Sequence, residues 1–171
     1  YLSHLNWAPD GRRIAFHSPR GLIILTDTVE AVVSPDTSYG FPAFSPDGKR
    51  LVYRASSSLG GDGSIGVLDL ARGTGSTLVR DPELLPMGWK DDSSIFVIRS
   101  DSAFGMARTL ELLPSRGGRG KVVGLFPKSG FYTDCAAGDV TMSADWRTAV
   151  CYEVEPNTDI WLVDDFDAAH R

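Results

Sequence analysis

The stretch Phe41-Pro42-Ala43-Phe44-Ser45-Pro46-Asp47-Gly48-Lys49-Arg50-Leu51-Val52-Tyr53 decides the fold. Ser45-Pro46-Asp47-Gly48 fits a type I turn, because proline presets φ at the second position and glycine closes the turn. Apolar residues precede the turn and an aliphatic–aromatic run follows it, so the whole reads as strand, turn, strand. An intact second copy runs from Leu5 to Phe16, with Ala8-Pro9-Asp10-Gly11 as its turn. Two worn copies run from Met87 to Val97 and from Val140 to Tyr152, without the proline and glycine. The aligned aspartates are Asp10, Asp47, Asp92 and Asp145, with spacings of 37, 45 and 53. A large apolar residue stands three positions before each of them: Trp7, Phe44, Trp89 and Met142. Their fixed phase predicts that all four are core residues between repeating units.

Working outward, each hairpin is followed by a third strand-like run: Leu22–Thr26, Ile65–Leu70, Thr109–Leu113 and Asp159–Val163. Three copies add a fourth, at Ala31–Val33, Ser76–Val79 and Lys121–Phe126. No segment sustains a 3.6-residue apolar period over helix length. Four strands per unit of about 40 to 45 residues is the signature of β-propeller blades. The third strands are nearly continuous apolar runs, as in Ile160-Trp161-Leu162-Val163, which suits sheets covered on both faces. The chain is therefore expected to be all-β, a propeller of four-stranded antiparallel blades, with about four blades that form part of a larger propeller. The expected organisation is one propeller region over 1–171, with repeats at about 1–37, 38–82, 83–131 and 132–167. A β-sandwich ranks second, because it predicts no Pro-Asp-Gly turn at a fixed phase.

Composition narrows the function. The net charge is −5, from 17 basic and 22 acidic residues, which argues against nucleic acid as a partner. The apolar runs are too short to insert in a membrane as helices. The two cysteines, Cys135 and Cys151, make no disulfide framework and are read as unpaired thiols. The pattern is already under way at Tyr1 and the last unit stops after a third strand, so blades are expected upstream. Two open edges are then expected to favour edge-mediated self-association.

The repeat resembles that of TolB-type β-propellers, most closely over Phe41–Tyr53 and its continuation Ile65-Gly66-Val67-Leu68-Asp69-Leu70. Asp159–Asp164 resembles the third strand of a last repeat. The resemblance spans nearly the whole chain and is specific in the first two units. It implies a non-catalytic protein-interaction scaffold, in the periplasm or otherwise outside the cytoplasm, with another protein as partner and no cofactor. Similar blades stand as accessory propellers before prolyl oligopeptidase-type serine peptidases, which is the alternative reading. In neither reading does this chain supply catalytic residues.

Gly61-Asp62-Gly63-Ser64-Ile65-Gly66 matches a dinucleotide-binding glycine pattern, but a strand rather than a helix follows, so it reads as a blade loop. The same segment lacks the first glycine of a nucleophile elbow. His4, His17 and His170 form no metal-ligand spacing. Asp164, Asp165 and Asp167 read as a solvated acidic tail, and Arg116–Lys121 as a turn between the third and fourth strands. Individuality concentrates in the loops between second and third strands, at 18–20, 55–64, 100–107 and 153–158. Function tends to sit in such loops on a rigid scaffold. The candidate binding residues are Arg54, Asp62, Arg99, Asp101, Phe104, Glu153 and Glu155.

Overall fold

The computed structural model describes residues 3–27, 30–34, 39–56, 63–101, 106–125, 141–143, 146–152 and 160–164. Among them are four antiparallel sheets, each a meander in chain order. The first holds β1 (Ser3–Trp7), β2 (Ile14–Ser18), β3 (Gly21–Leu25) and β4 (Glu30–Ser34). The second holds β5 (Tyr39–Phe44), β6 (Arg50–Ser56), β7 (Gly63–Asp69) and β8 (Thr74–Arg80). The third holds β9 (Leu84–Asp91), β10 (Ser94–Asp101), β11 (Met106–Pro114) and β12 (Lys121–Leu125). The fourth holds β13 (Thr141–Met142), β14 (Thr148–Tyr152) and β15 (Ile160–Asp164). No helix among the described residues is long and apolar enough to cross a membrane.

The turn between the first two strands of the second sheet is closed by its own backbone. Ser45 N donates to Arg50 O at 2.9 Å and Gly48 N to Ser45 O at 2.8 Å. Gly48 takes a φ of +67°, which a glycine adopts without a Cβ clash. The first repeat reproduces both bonds at Ala8 and Gly11, and Gly11 has a φ of +68°. The fourth reproduces them at Ser143 and Trp146, although a tryptophan at φ +60° has replaced the glycine. The third repeat differs. Ser94 pairs with Asp91, so Asp92 and Ser93 alone close its hairpin. Asp91, not Asp92, is thus the counterpart of Asp10 and Asp47: its Oδ1 accepts from Ser93 N at 2.8 Å, as Asp47 Oδ1 accepts from Lys49 N at 3.0 Å. The shorter turn moved the capping carboxylate back one position.

Strand registers sort the apolar residues onto two faces. Phe44 pairs with Leu51 and Leu51 with Leu68, so these three share the face of the second sheet that meets Ala15, Leu22 and Ile24 of the first. Ala43, Val52 and Val67 share the other face and meet Trp89, Ile95, Val97 and Leu113 of the third sheet. Both faces being covered is why the strands read as unbroken apolar runs. Gly66 serves the first interface: a Cβ there would lie 2.6 Å from the Tyr53 ring. The glycine of the supposed dinucleotide loop is a packing residue inside β7.

An arginine–aromatic joint ties each of these sheet pairs. The residue before the first aliphatic of the second strand is Arg13 in the first sheet and Arg50 in the second. Arg13 lies over the Phe44 ring, 5.3 Å from its centre, and donates to Gly48 O at 2.9 Å. Arg50 lies over the Trp89 ring at 4.6 Å and donates to Asp92 O at 2.8 Å. Trp89 Nε1 in turn donates to Ala43 O at 3.0 Å. Each guanidinium therefore binds the next blade's aromatic face and its turn carbonyl together. A cation over an aromatic ring contributes about 0.5–2 kcal/mol, rising with desolvation. The third pair is joined otherwise: Trp146 stacks on Phe96, with centroids 4.1 Å apart, and its ring packs 3.0 Å from where a Cβ on Gly88 would stand.

The expectation that Trp7, Phe44 and Trp89 are all core holds for two of them. Phe44 and Trp89 are each 6% exposed, but Trp7 is 62% exposed. Trp7 lies on the face of the first sheet turned away from the second, at the turn end of that face, where Leu25 is also exposed, whereas Phe16 and Ile23 farther along the same face are buried. The side chains of Met142 and Cys151 fall outside the described residues, as does all of Cys135.

The Asp47 turn yields a test. The Ser45 hydroxyl, 2.6 Å from Oδ1, and the Lys49 amide hold the Asp47 carboxyl below the ordinary carboxylate range. A depressed folded-state value adds stability that is present above the unfolded value and lost as pH falls through the folded one. Asp47→Ala is expected to cost about 0.5–1 kcal/mol at pH 7, the site being exposed. Urea titrations should show that gap closing below about pH 4, and a gap that persists at pH 2 would contradict this assignment.

Candidate functional site

The rim that carries the loops between second and third strands is organised around the linker Asp81-Pro82-Glu83, which joins the second sheet to the third. Its backbone is held from one side by β7, where Asp81 N donates to Gly63 O at 2.9 Å. The approach is so close that a Cβ on Gly63 would lie 2.6 Å from Pro82 Cα. On the other side Ser100 N of β10 donates to Glu83 O at 2.8 Å. The linker also turns on itself, with Glu83 N donating to Asp81 Oδ1 at 3.0 Å.

Two arginines from successive blades close on this linker. Arg54, near the end of β6, donates from Nη2 to Pro82 O at 2.9 Å. Its Nε is buried without a hydrogen-bond partner. Burial lowers the pKa of Arg54 from its ordinary value. Arg99, the equivalent residue near the end of β10, donates from Nε to Glu111 Oε1 at 2.7 Å and from Nη1 to Asp81 Oδ2 at 2.9 Å. Nη1 also lies 3.4 Å from Glu83 Oε2. The Glu111 hydrogen bond, offset by desolvation and helped by Asp81, raises the Arg99 pKa. Thr109 Oγ1 donates to the same Glu111 oxygen at 3.0 Å, and Glu111 is buried.

The seven candidate residues thus fall into two groups. Arg54 and Arg99 are brought together on one linker and point inward at it. Asp101 lies two residues beyond Arg99, paired with Met106, and its side chain is outside the described residues. Asp62, Phe104, Glu153 and Glu155 lie outside the described residues altogether. The sequence reading missed Asp81, Glu83, Thr109 and Glu111. A charged residue inside the apolar run Leu110-Glu111-Leu112-Leu113 was a signal, since a buried carboxylate needs a partner. Among the described residues no three His, Cys, Asp or Glu side chains gather as metal ligands. The carboxylates of Asp81, Glu83 and Glu111 are spent on Arg99. Of the expected turn Arg116–Lys121, residues 116–120 join β11 to β12 and Lys121 already begins β12, and Gly117 lies close against Leu78 O.

The first strands, which contact one another from sheet to sheet, carry a second irregularity. His4 and Phe41 occupy equivalent positions three residues before Trp7 and Phe44. Both have positive φ, +57° and +53°, at register shifts in β1 and β5. Their rings lie 3.9 Å apart.

Arg99→Leu is expected to strand Glu111 without its counter-charge and to cost about 2–4 kcal/mol, the pair being partly exposed. Arg99→Leu with Glu111→Leu should recover most of that in urea unfolding. A double variant as unstable as the single one would refute the pairing.

No protein-family model matches the chain, and no curated protein matches its sequence. Solved structures do match. TolB from Acinetobacter baumannii aligns with 96% of this chain and 41% of its own, at 18% identity and a TM-score of 0.68. A putative TolB from Agrobacterium tumefaciens aligns with 96% of this chain and 58% of its own, at 17% identity and a TM-score of 0.63. The β-propeller domain of the Trilobed protease from Pyrococcus furiosus, described as having an open velcro topology, aligns with 96% of this chain and 54% of its own, at 15% identity and a TM-score of 0.55. The chain therefore spans about half the length of the propellers it matches. Its fold is that of a TolB-like β-propeller, present here in part.

Proposed function

We propose that the chain is a non-catalytic protein-binding scaffold whose contact surface is the rim of loops between second and third strands. The observation that carries this reading is the clamp on Asp81–Glu83. Arg54 and Arg99 stand near the ends of β6 and β10, where the expected loops at 55–64 and 100–107 begin, and their grip on one linker fixes those strand ends relative to each other. A rim held in this way has less freedom to lose on binding, which favours recognition of a partner surface. The sheets beneath repeat one packing scheme while the loops repeat nothing, the division expected of a rigid frame with a specific surface. In this reading Asp62, Asp101, Phe104, Glu153 and Glu155 meet the partner, and Arg54 and Arg99 support them. A location outside the cytoplasm, in the periplasm, goes with this reading and rests on the likeness to TolB.

A second reading, an accessory propeller of a larger enzyme, is favoured by the likeness to the Trilobed protease domain. The full gene product separates the two, because the peptidase reading requires a Gly-x-Ser-x-Gly segment beyond these residues and a hydrolase activity with it.

The rim is tested by replacing Asp62, Glu153 and Glu155 together with lysine, leaving Arg54 and Arg99 in place so that the clamp stays intact. Capture of the cross-linked partner is expected to fall at least about tenfold, the scale of a few lost polar contacts. Capture at the parental level, with unfolding unchanged, would refute the rim as the contact surface.

A further inference from the structure

We propose that the outer mouth of the cleft between the second and third sheets, headed by the turn Arg116–Lys121, docks an extended segment of a partner protein in which carboxylates precede alternating apolar residues. This surface is separate from the rim of loops between second and third strands and does not depend on that reading. It begins with charge. Arg116, Arg119 and Lys121 fall within six residues and all three are exposed. None of them forms an ion pair among the described residues. Glu111 stands beside the turn, with Oε2 2.9 Å from where a Cβ on Gly120 would be. It is buried, however, and its Oε1 accepts from Arg99 and Thr109, so it is already matched to another cation.

The second sheet shows how the same corner looks when its charge is balanced. There Asp69, opposite Arg50 in the register, accepts from Ala71 N and Arg72 N at 3.0 Å each and pairs with Arg72 Nη1. The third sheet places Pro114 opposite Ser94, so this corner has no carboxylate, and its turn is longer. The added length is tied down. Ser115 N donates to Ser93 O at 2.8 Å, Ser115 Oγ to Asp92 O at 3.0 Å, and Gly117 N to Pro114 O at 3.0 Å. Gly117, with a φ of +85°, lies against Leu78 O of β8, so the turn reaches across the cleft to the second sheet. At Gly118 an added Cβ would meet nothing within 4 Å, which leaves the crest of the turn open to a ligand. A turn held in this way loses little freedom when it binds.

The strand that leaves the turn supplies the apolar half. A bulge in β12 sets Val122 opposite Glu111 and Leu125 opposite Thr109, so both side chains share the face turned toward the second sheet. Val122 is 44% and Leu125 58% exposed, whereas Leu113 on the same face of β11 is buried, with Leu78 and Val79 of β8 packed against its cluster. The cleft is thus closed at depth and open at its outer mouth, where the cations and the two apolar side chains follow one another along the chain. The outer strand of the second sheet offers no such row, since it opens with the exposed Thr74-Gly75-Ser76-Thr77. Guanidinium groups take carboxylates in a bidentate fork, which makes a carboxylate-rich segment the complement of Arg116 and Arg119. The net charge of −5, and a valine and leucine beside the cations, argue against a uniformly charged polymer such as nucleic acid.

Fluorescence anisotropy on the complete gene product tests this with a labelled peptide of consecutive glutamates followed by alternating leucine and serine. Saturable binding that weakens as salt rises is expected, and none by the same peptide with lysines in place of the glutamates. Arg116→Glu with Arg119→Glu should weaken binding at least about tenfold. Val122→Ser with Leu125→Ser should weaken it several-fold at low and high salt alike. Urea unfolding of both variants should match the parent. Should the charge reversal disturb folding, Arg116→Gln with Arg119→Gln decides, and it should still weaken binding several-fold. Parental affinity in a folded arginine variant or in the serine variant overturns the proposal, as does equal binding of the lysine peptide or no saturable binding of the glutamate peptide. It is also overturned if phosphatidylglycerol vesicles or duplex DNA bind these arginines more tightly than the peptide does. Self-association that the arginine reversal abolishes would mean a second copy as occupant, and would overturn it too. None of these results touches the rim reading, which is tested at Asp62, Glu153 and Glu155.

Discussion

One interaction recurs between the first three sheets: a guanidinium laid on the aromatic ring of the next blade, with a hydrogen bond to that blade's turn. Apolar contact between sheets covered by leucine and isoleucine has no direction, whereas a stack combined with a hydrogen bond does. The Pro-Asp-Gly turn matters in this light for more than its bend. It places the arginine at the mouth of the hairpin, and in the next blade it turns a carbonyl outward to receive it. Asp10 adds to this by holding the Arg13 side chain, with its Oδ2 2.9 Å from Nε. The third joint shows the constraint from the other side. With Ser94 in place of arginine, the stack is rebuilt from Trp146, in a left-handed conformation that costs a non-glycine residue on the order of 1–2 kcal/mol.

The joint and the rim clamp lie at opposite ends of the second strands. Arg50 starts β6 and Arg54 stands near its end; one ties the sheets through a turn and the other ties them through the Asp81–Glu83 linker. The second and third sheets are thus pinned at two levels, and the segments that carry no repeat follow the pinned ends in the sequence. A scaffold of this form can vary its loops without disturbing its packing, which is how the reading of a protein-binding surface follows from the mechanics of the frame.

Much of the fold was legible in the sequence, and the reasons are local. The Pro-Asp-Gly turns announce hairpins, and alternating or continuous apolar runs announce strands, so the strand sequence could be read along the chain. The worn third repeat was harder: Asp91 and Asp92 are adjacent, and only the register shows which one caps the shortened turn. Trp7 was indistinguishable from Phe44 and Trp89 by pattern, since all three hold the same position and differ only in whether a sheet lies across them. The candidate site was less legible. Arg54 and Arg99 sit where loops begin, and nothing local tells an arginine that faces a partner from one that reaches a linker 28 or 18 residues away. Gly66 had the spacing of a phosphate-binding glycine, and what fixed its meaning was the Tyr53 ring across the strand.

The most direct test of the account is a double-mutant cycle on Arg50 and Trp89, with Arg50→Ala, Trp89→Leu and the pair measured by urea unfolding. The account predicts a favourable coupling of about 1 kcal/mol or more between the two sites. Strictly additive single effects would contradict it, and would mean that the sheets are held by apolar burial alone.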